Sequence, residues 1–337
     1  MRNGILAAGN WILDHVKIID HWPAQDTLAT ISGQSAGNGG SPYNILVDLA
    51  ILGASFPLHG AGLVGDDEDG RTIIADCRAR GIDMKQVRPT RTAATSYTDV
   101  MTVRDTGRRT FFHQSGANAL FDIEHVDLAA TNAKLFHLGY LLLLDRLDLV
   151  MAGESRAGLL LKAARAAGLR TSVDCVSEDS DRFQTVVLPS LPHVDVLFAN
   201  DFETEKLTGI SLRREGRIDA AAVALAARRI LEMGVRSWVV IHFPEAVHAS
   251  QAGGAAIWQP SVLMEPAAIA GAAGAGDALA AGVLLGLHDD WPMEECLRLG
   301  VCAAAASLTH ATCSTGVKPA AECLDLGRRL GFRSLPN

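Results

Sequence analysis

The stretch GAGD at residues 274–277 places three small residues and one carboxylate just before a run of helix-forming residues. Ala278 and the residues after it predict a helix, so 274–276 would form its first turn. Amides of a first turn lack partners, and the helix dipole makes that end partly positive. An anion could bind there, with Asp277 as a base acting on a neighbouring hydroxyl, as phosphoryl transfer requires. The stretch alone leaves open a carboxylate that only stabilises the dipole, with small residues that let helices pack closely.

Two further segments contain groups suited to a polyhydroxylated ligand. Gly39 and Gly40 permit a tight turn before a predicted helix, and Asn44 projects from the start of that helix. Freed backbone groups and an amide side chain offer both donors and acceptors. Asp14 follows the first predicted strand, where its carboxylate could accept hydrogen bonds from two sugar hydroxyls. The simpler interpretation is a glycine-rich loop with a capping Asn, and a solvated Asp.

Asn200 and Glu203 are three residues apart at the start of another predicted helix, so they face the same side. Such a pair can hold water around a magnesium ion that is bound to phosphates. A capping box, in which Asn200 caps the helix and Glu203 folds back, explains the same spacing.

The composition limits the kind of protein. The 337 residues are 48% hydrophobic and 20% charged, with a formal net charge of −8 and no basic stripe, so nucleic acid is not expected as a partner. The longest apolar run, 278–287, is about half of a membrane span. Asn10 and Asp14 interrupt the N-terminal apolar run, which argues against a signal peptide. Six scattered cysteines indicate free thiols, and we therefore expect a cytoplasmic protein.

Short apolar runs alternate with helical patterns along most of the chain. This order predicts an α/β protein with a mostly parallel sheet covered by helices on both faces, and ligands at the carboxyl ends of the strands. The predicted strands are 4–10, 135–143, 171–176, 194–200 and 237–243. The predicted helices are 42–53, 71–81, 157–168 and 219–234, with two more that begin at Asp277 and at Pro292.

Two segments depart from this alternation. Residues 27–36 and 95–116 have the pattern of half-exposed strands, and Gly107 suits a hairpin turn in the second. We expect them to form a small antiparallel lid, with segments of about 15–37 and 93–116, within a single domain of 1–337. Because its edge strands are exposed, the lid could be covered by the lid of a second chain, which predicts a homodimer.

Four motifs, in order over nearly the whole chain, resemble the ribokinase-like (PfkB) carbohydrate kinase family. They are GGSPYN at 39–44, GLVGDDEDGRTIIADCRARGID at 62–83, NDFE at 200–203 and GAGDALAAG at 274–282. The resemblance implies a three-layer α/β fold with a β lid. It also implies transfer of the γ-phosphoryl group of ATP to a hydroxyl of a sugar, a related polyol or a nucleoside.

The resemblance also implies a role for each candidate residue. Asp277 would be the general base, and the amides of Gly274, Ala275 and Gly276 would form the anion hole. Asp14, Gly39, Gly40 and Asn44 would hold the acceptor. Asn200 and Glu203 would bind the nucleotide side, where Glu203 would act on Mg²⁺ through water.

The chain departs from the family pattern on the nucleotide side. Residues 271–273 are Gly-Ala-Ala where polar residues near the phosphates or a monovalent cation are usual, and Phe243 and Pro244 replace small residues. We therefore expect weaker or altered ATP binding, with a monovalent cation as a further candidate cofactor. A sugar-binding sensor without catalysis remains an alternative. The acceptor stays open among fructose, ribose, a keto-deoxy sugar acid, inositol and a nucleoside.

Overall fold

Strands of the central sheet are apolar on both faces. In a computed structural model, which describes residues 2–310 and 312–336, Ile5 and Ala7 face one layer of the core. Leu6 and Ala8, which alternate with them, face the other layer. This pattern is typical of a sheet covered by helices on both sides, because successive strand side chains point to opposite faces.

The strands are numbered in chain order. They are β1 (Ile5–Gly9), β2 (Ile12–Ile19), β3 (Ile31–Gly39), β4 (Leu58–Gly65), β5 (Asp83–Thr90), β6 (Ser96–Val103), β7 (Arg109–Gln114), β8 (Leu135–Leu141), β9 (Val150–Met151), β10 (Glu154–Ser155), β11 (Arg170–Cys175), β12 (Val196–Asn200), β13 (Arg213–Arg214), β14 (Arg217–Ile218), β15 (Trp238–His242), β16 (Ala246–Gln251) and β17 (Ala256–Pro260). The main sheet has the order β17-β16-β15-β12-β11-β8-β1-β4-β5. Neighbours from β15 to β5 are parallel, whereas β16 and β17 continue the sheet antiparallel.

Helices cover both faces of this sheet. They are α1 (Ser41–Leu52), α2 (Glu68–Ala79), α3 (Arg156–Ala166), α4 (Leu188–Ser190), α5 (Asp201–Thr208), α6 (Ala220–Glu232), α7 (Ala275–His288), α8 (Met293–Ser307) and α9 (Ala320–Leu330). Helices α1, α2, α7, α8 and α9 share one core layer, and α3, α5 and α6 share the other. The predicted three-layer α/β architecture is therefore present. In the described part of the chain, no helix has the length and apolar character needed to cross a bilayer.

Small residues in α7 do allow close helix packing. A Cβ atom added at Gly282 would lie 2.8 Å from the Cα atom of Gly300 in α8. A Cβ atom added at Gly300 would lie 2.9 Å from the carbonyl oxygen of Leu279. Close packing therefore explains the Ala- and Gly-rich body of α7, while the start of the helix has a different environment.

The lid is a four-stranded sheet in the order β3-β2-β6-β7. The pairs β2-β3 and β6-β7 are antiparallel as predicted, whereas β2 and β6 are parallel, so the lid is a mixed sheet. Its strands extend past the predicted segment of 15–37, because β2 already begins at Ile12 and β3 continues to Gly39. Asp14 consequently lies within lid strand β2 rather than in a loop after the first strand. The connection between β1 and β2 is only two residues long, so the chain enters the lid almost at once. Strands β6 and β7 pair antiparallel around Gly107, which has a φ of 65°.

Candidate active site

Helix α7 begins beside the carboxyl ends of the central strands. Gly274 precedes the helix with a φ of 78°, and a Cβ atom there would lie 2.6 Å from the carbonyl oxygen of Cys313. The amide of Ala275 points back to the carbonyl of Ala272 at 3.4 Å. The amide of Gly276 has no hydrogen-bond partner among the described residues, as expected for a first helical turn. This end of α7 can therefore receive an anion.

Asp277 is buried in the first turn of α7 and accepts hydrogen bonds from two side chains. Asn44 Nδ2 donates to Asp277 Oδ2 at 2.8 Å. The Tyr140 hydroxyl lies 3.0 Å from Oδ1 and 2.8 Å from Oδ2. The structure thus brings Asn44, a predicted acceptor-binding residue, directly to the carboxylate predicted to be the base.

The surroundings of Asp277 disfavour its charged form. Burial raises the pKa of this carboxyl well above its ordinary value, and the charge of Asp174 raises it further. Hydrogen bonds from Asn44 and Tyr140 lower the pKa, whereas the charge of Asp14 raises it. A carboxyl with a raised pKa binds a proton more readily at neutral pH, which is the property a general base needs.

A buried polar network lies around Asp174, at the end of β11. The Ser41 hydroxyl donates to Asp174 Oδ2 at 2.8 Å, and His137 Nε2 lies 3.5 Å from the same oxygen. Asp174 Oδ1 has no partner among the described atoms. The backbone can approach this network because Gly139 lacks a side chain, since a Cβ atom there would lie 2.0 Å from Ser41 Oγ.

Gly39 and Gly40 make room for Asp14 and for the backbone. A Cβ atom at Gly39 would lie 2.3 Å from Asp14 Oδ2, so any side chain there would displace the carboxylate. Gly40 has a φ of 91°, and its Cβ atom would lie 2.0 Å from the carbonyl oxygen of Asn10. Burial raises the pKa of Asp14 to about 6, and a hydrogen bond with Thr98 opposes this shift.

An open cleft lies between the lid and the loops beside α7. Asp14 lies in this cleft together with Val16 and Val100 of the lid, and Cys313 lines it as well. Cys313 Sγ is 4.0 Å from Asp14 Oδ2. The predicted acceptor residue Asp14 therefore faces an open cleft between the lid and the loops beside α7.

Asn200 and Glu203 form the capping box of α5. The amide of Glu203 donates to Asn200 Oδ1 at 2.8 Å, and the amide of Asn200 donates to Glu203 Oε2 at 3.0 Å. The Ser177 hydroxyl donates to Glu203 Oε1 at 2.7 Å. Burial raises the pKa of Glu203 to about 7. Both carboxylate oxygens are occupied, and the proposed contact with magnesium through water stays a prediction.

The turn at Phe243 and Pro244 is rigidly held. Phe243 is buried, its amide donates to the carbonyl of Ala246 at 3.1 Å, and its ring meets Trp258 edge-on. Glu245 accepts from Arg213 Nη1 at 2.9 Å. Arg213 also contacts Asp201 at the start of α5. Pro244 adds no amide donor, so this turn offers less to a phosphate than a glycine-rich loop would.

Sequence reasoning missed Tyr140 and Asp174. Both lie near the carboxyl ends of strands that the sequence had indicated, β8 and β11. That position is the signal that could have singled them out, because ligands collect at this edge of a parallel sheet. Among the described residues, no cluster of three or more His, Cys, Asp or Glu side chains could hold a metal ion by itself.

Comparison with known proteins identifies the family. The model of the pfkB family carbohydrate kinases matches residues 8–320. The chain belongs to the pfkB carbohydrate kinase family. This confirms the resemblance that the four motifs had indicated.

Curated relatives within this family have different acceptors in their names. The chain is 29% identical to an ATP-dependent ribose-1-phosphate kinase of Halopiger xanaduensis, over 60% of this chain and 63% of the relative. It is 28% identical to a probable fructokinase-7 of Arabidopsis thaliana, over 61% of this chain and 59% of the relative. Both matches thus span less than two thirds of the relative's own length.

Solved structures agree on the fold. A ribokinase of Arabidopsis thaliana complexed with ribose and ATP superposes with a TM-score of 0.77 at 20% identity, covering 97% of this chain and 99% of that one. A ribokinase of Thermotoga maritima gives a TM-score of 0.78 at 18% identity, with the same coverage. The predicted ribokinase-like fold is therefore confirmed.

Proposed function

We propose that this pfkB family protein is an ATP-dependent kinase that phosphorylates a hydroxyl group of a small sugar or related polyol. One observation carries the proposal: the buried carboxylate of Asp277 lies in the first turn of α7, next to the amide of Gly276, which has no hydrogen-bond partner among the described residues. A base next to an anion site is what transfer of a phosphoryl group to a hydroxyl needs.

In the proposed reaction the protein acts mainly by positioning the acceptor hydroxyl, the base and the transferring phosphoryl group. Asp14 accepts hydrogen bonds from sugar hydroxyls in the cleft, and Asp277 takes the proton of the reacting hydroxyl. The hydroxyl oxygen forms the new bond to phosphorus while the bond to the leaving oxygen of ADP breaks. The amides of 274–276 stabilise the charge that develops on the transferring group. Asn44 and Tyr140 hold the Asp277 carboxylate in place.

The nucleotide side fits ATP less fully than the acceptor side fits a sugar. ATP supplies the transferable γ-phosphoryl group, and its magnesium ion neutralises phosphate charge. Glu203 could assist only through a bound water, because its oxygens already accept hydrogen bonds. Ala272 and Ala273 offer no side-chain oxygen to a monovalent cation. The proposed reaction therefore gives such an ion no role.

Two other functions remain as alternatives. A sugar-binding sensor on a kinase scaffold is favoured by the departures at Pro244 and at Ala272 and Ala273, and a nucleoside kinase would use the same base. Release of ADP with a panel of sugars, polyols and nucleosides separates the three functions. A sensor would bind an acceptor without ADP release.

The Asp277→Asn variant tests the proposed base directly. The substitution is nearly isosteric and removes only the proton acceptor, so turnover should fall by roughly 10²–10⁴-fold while the thermal midpoint stays close to that of the parent. Asp105→Asn, on the exposed lid turn, is the matched control. A variant that keeps more than about a third of the parent turnover would exclude Asp277 as the base.

The proposal includes a homodimer formed through the lid and a cytoplasmic location. Ile31, Tyr97 and Phe112 are exposed apolar side chains on the lid face turned away from the cleft. A second copy would cover this face and the lid edges. All six cysteines are free, which suits a reducing compartment.

A further inference from the structure

The lid presents three rows of side chains to the cleft, because the register of its strands aligns them. Asp14 pairs with Thr98, and Thr98 pairs with His113, which makes a polar row. Two residues further along β2, Val16 pairs with Val100. This second row is apolar and continues to Phe111 of β7.

The third row contains the cation of the cleft. Ile18 pairs with Thr102, and Thr102 pairs with Arg109, the first residue of β7. All three line the same cleft as Asp14. The side chain of Arg109 forms no hydrogen bond or ion pair with any residue that the structure describes. Thr102 Oγ1 is buried and is likewise without a partner.

Arg109 differs in this respect from several other arginines of the chain, although the Nε of half-buried Arg333 also lacks a partner among the described atoms. The comparably half-buried Arg156, Arg182 and Arg213 are each held by at least one carboxylate. The charge of Arg109 is directed into the cleft: burial and the charge of Asp14 raise the pKa of the Cys313 thiol, and Arg109 lowers it. A guanidinium and a hydroxyl that both lack partners form a ready site for an oxyanion.

The distance between the first and third rows suits a ligand that extends along the lid from Asp14 toward Arg109. Ile18 is four positions after Asp14 in β2, which is about 13 Å along the strand at ~3.3 Å per residue. A sugar held at its hydroxyls by Asp14 would lie across the apolar row, against Val16 and Val100. A charged substituent at its far end would then come within reach of the long Arg109 side chain.

We propose that the acceptor is an anionic sugar, whose phosphate ester or carboxylate is bound by Arg109 and Thr102 at the end of the cleft remote from Asp14. This inference rests on the proposed kinase function and deepens it by naming the substrate class. Arg109 is a specificity residue in this scheme, because it contacts the substrate away from the reacting hydroxyl.

Matched pairs of acceptors test the proposal. The panel contains ribose with ribose 1-phosphate and ribose 5-phosphate, fructose with fructose 1-phosphate and fructose 6-phosphate, and a keto-deoxy sugar acid with its neutral methyl ester. The parent protein should prefer an anionic member over its neutral partner by at least about tenfold in kcat/KM. One hydrogen bond to a charged group contributes enough binding free energy for a change of that size. The two arms, phosphate and carboxylate, separate the possible sources of the oxyanion.

Arg109→Gln should abolish most of this preference through a KM about 10–100-fold higher for the anionic acceptor. Thr102→Val should act in the same direction but more weakly. Arg108→Gln, the exposed neighbour outside the cleft, is the control and should keep the preference. Raising the salt concentration should weaken binding in the parent protein and much less in Arg109→Gln.

The outcome distinguishes this inference from the kinase function. ADP release with neutral acceptors only, or equal preference in Arg109→Gln and Arg108→Gln, would overturn the anionic substrate and leave the kinase intact. If no acceptor is phosphorylated, calorimetry with the same panel decides. Tighter binding of an anionic sugar, lost in Arg109→Gln, supports the inference without the kinase, and the absence of such binding refutes it.

Discussion

The hydroxyl of Tyr140 lies within 3.0 Å of both carboxylate oxygens of Asp277. The proposed base therefore already accepts a hydrogen bond before any substrate arrives. Tyr140 is at the end of β8 and Asp277 is in the first turn of α7, so the contact joins the sheet to the anion-binding helix end. An acceptor hydroxyl that reaches Asp277 must share or displace this hydrogen bond. Tyr140 is therefore a positioning residue for the base.

We expect Tyr140→Phe to shift the pH dependence of the reaction. The Tyr140 hydrogen bond lowers the pKa of Asp277, so its loss raises that pKa further. Because the base works in its deprotonated form, the rising limb of kcat/KM should move to higher pH, by up to about one unit for one hydrogen bond. Tyr97→Phe, an exposed lid residue, is the control. Coinciding pH profiles for the two variants would contradict the positioning role.

Asp48 should destabilise the fold as the pH rises. It is fully buried in α1, and neither carboxylate oxygen has a partner among the described atoms. Burial holds its pKa well above the ordinary value, so the folded state retains a proton that the unfolded state loses. Its contribution to stability is therefore intact below the unfolded pKa, near 4, and is lost as the pH rises toward the folded pKa.

Asp48→Asn removes this charge and should raise the thermal midpoint, with a gain over the parent protein that grows from pH 4 to pH 8. The midpoint is measured by circular dichroism at each pH. Asp105→Asn, on the exposed lid turn, should show no such growth. A gain for Asp48→Asn that is equal at all pH values would point to packing instead of charge.

The residues of the site could be predicted where the groups that act together are also neighbours in the sequence. Asp277 and the small residues before it are adjacent in sequence, so the helix N-terminus could be inferred from composition alone. Tyr140 was missed because it lies within the apolar run of 135–143, where no polar pattern marks the strand end. Arg109 was not singled out because it follows the hairpin turn at Gly107, and only the pairing of β6 with β7 places it beside the cleft.

The fold was predictable to a similar extent and for similar reasons. Strands buried on both faces, such as β1 and β15, have continuous apolar sequences. Strands β16 and β17 were missed because they lie at the antiparallel edge and contain polar residues such as His248 and Gln259. Strand β2 overlaps the predicted lid segment but begins three residues earlier, because only two residues connect it to β1.

Gly282→Ala should destabilise the protein through the contact between α7 and α8. Its new Cβ atom would lie 2.8 Å from backbone atoms of Gly300, so the helices must move apart. Overpacking of this kind costs about 1–3 kcal/mol, even though Ala favours helix more than Gly does. Gly254→Ala has open space around it and should unfold like the parent protein in urea. A higher midpoint for Gly282→Ala would show that helix propensity outweighs packing.

The exposed face of the lid should mediate a homodimer. Phe112 stacks on Trp22 with 6.0 Å between ring centroids, and both are about half exposed in a single chain. Burying this pair against a second copy would remove a large apolar area from water. Sedimentation velocity should find a dimer for the parent protein and a monomer for Phe112→Asp. Leu225→Asp, on α6 away from the lid, should remain dimeric. A parent protein that is monomeric at high concentration would contradict the lid interface.

We expect hydroxyl groups added beside α7 to tighten the binding of ATP. Ala272 is exposed and Ala273 is half-buried just before the anion-binding turn, so a threonine side chain has room at both positions. Each new hydrogen bond to a phosphate contributes roughly 0.5–1.5 kcal/mol, and two together correspond to about a tenfold change in affinity. Calorimetry with a non-hydrolysable ATP analogue and magnesium should therefore find tighter binding for Ala272→Thr with Ala273→Thr than for the parent protein.

Ala268→Thr places the same side chain on the neighbouring exposed turn and should leave the affinity for the ATP analogue unchanged. The rigid turn at Phe243 and Pro244 stays the same in all these proteins, so the comparison isolates the missing hydroxyl groups. Micromolar binding by the parent protein, with no gain from the two threonines, would show that the chain holds the nucleotide without them. The departures at 271–273 would then carry no cost for ATP, and the sensor alternative would lose its support.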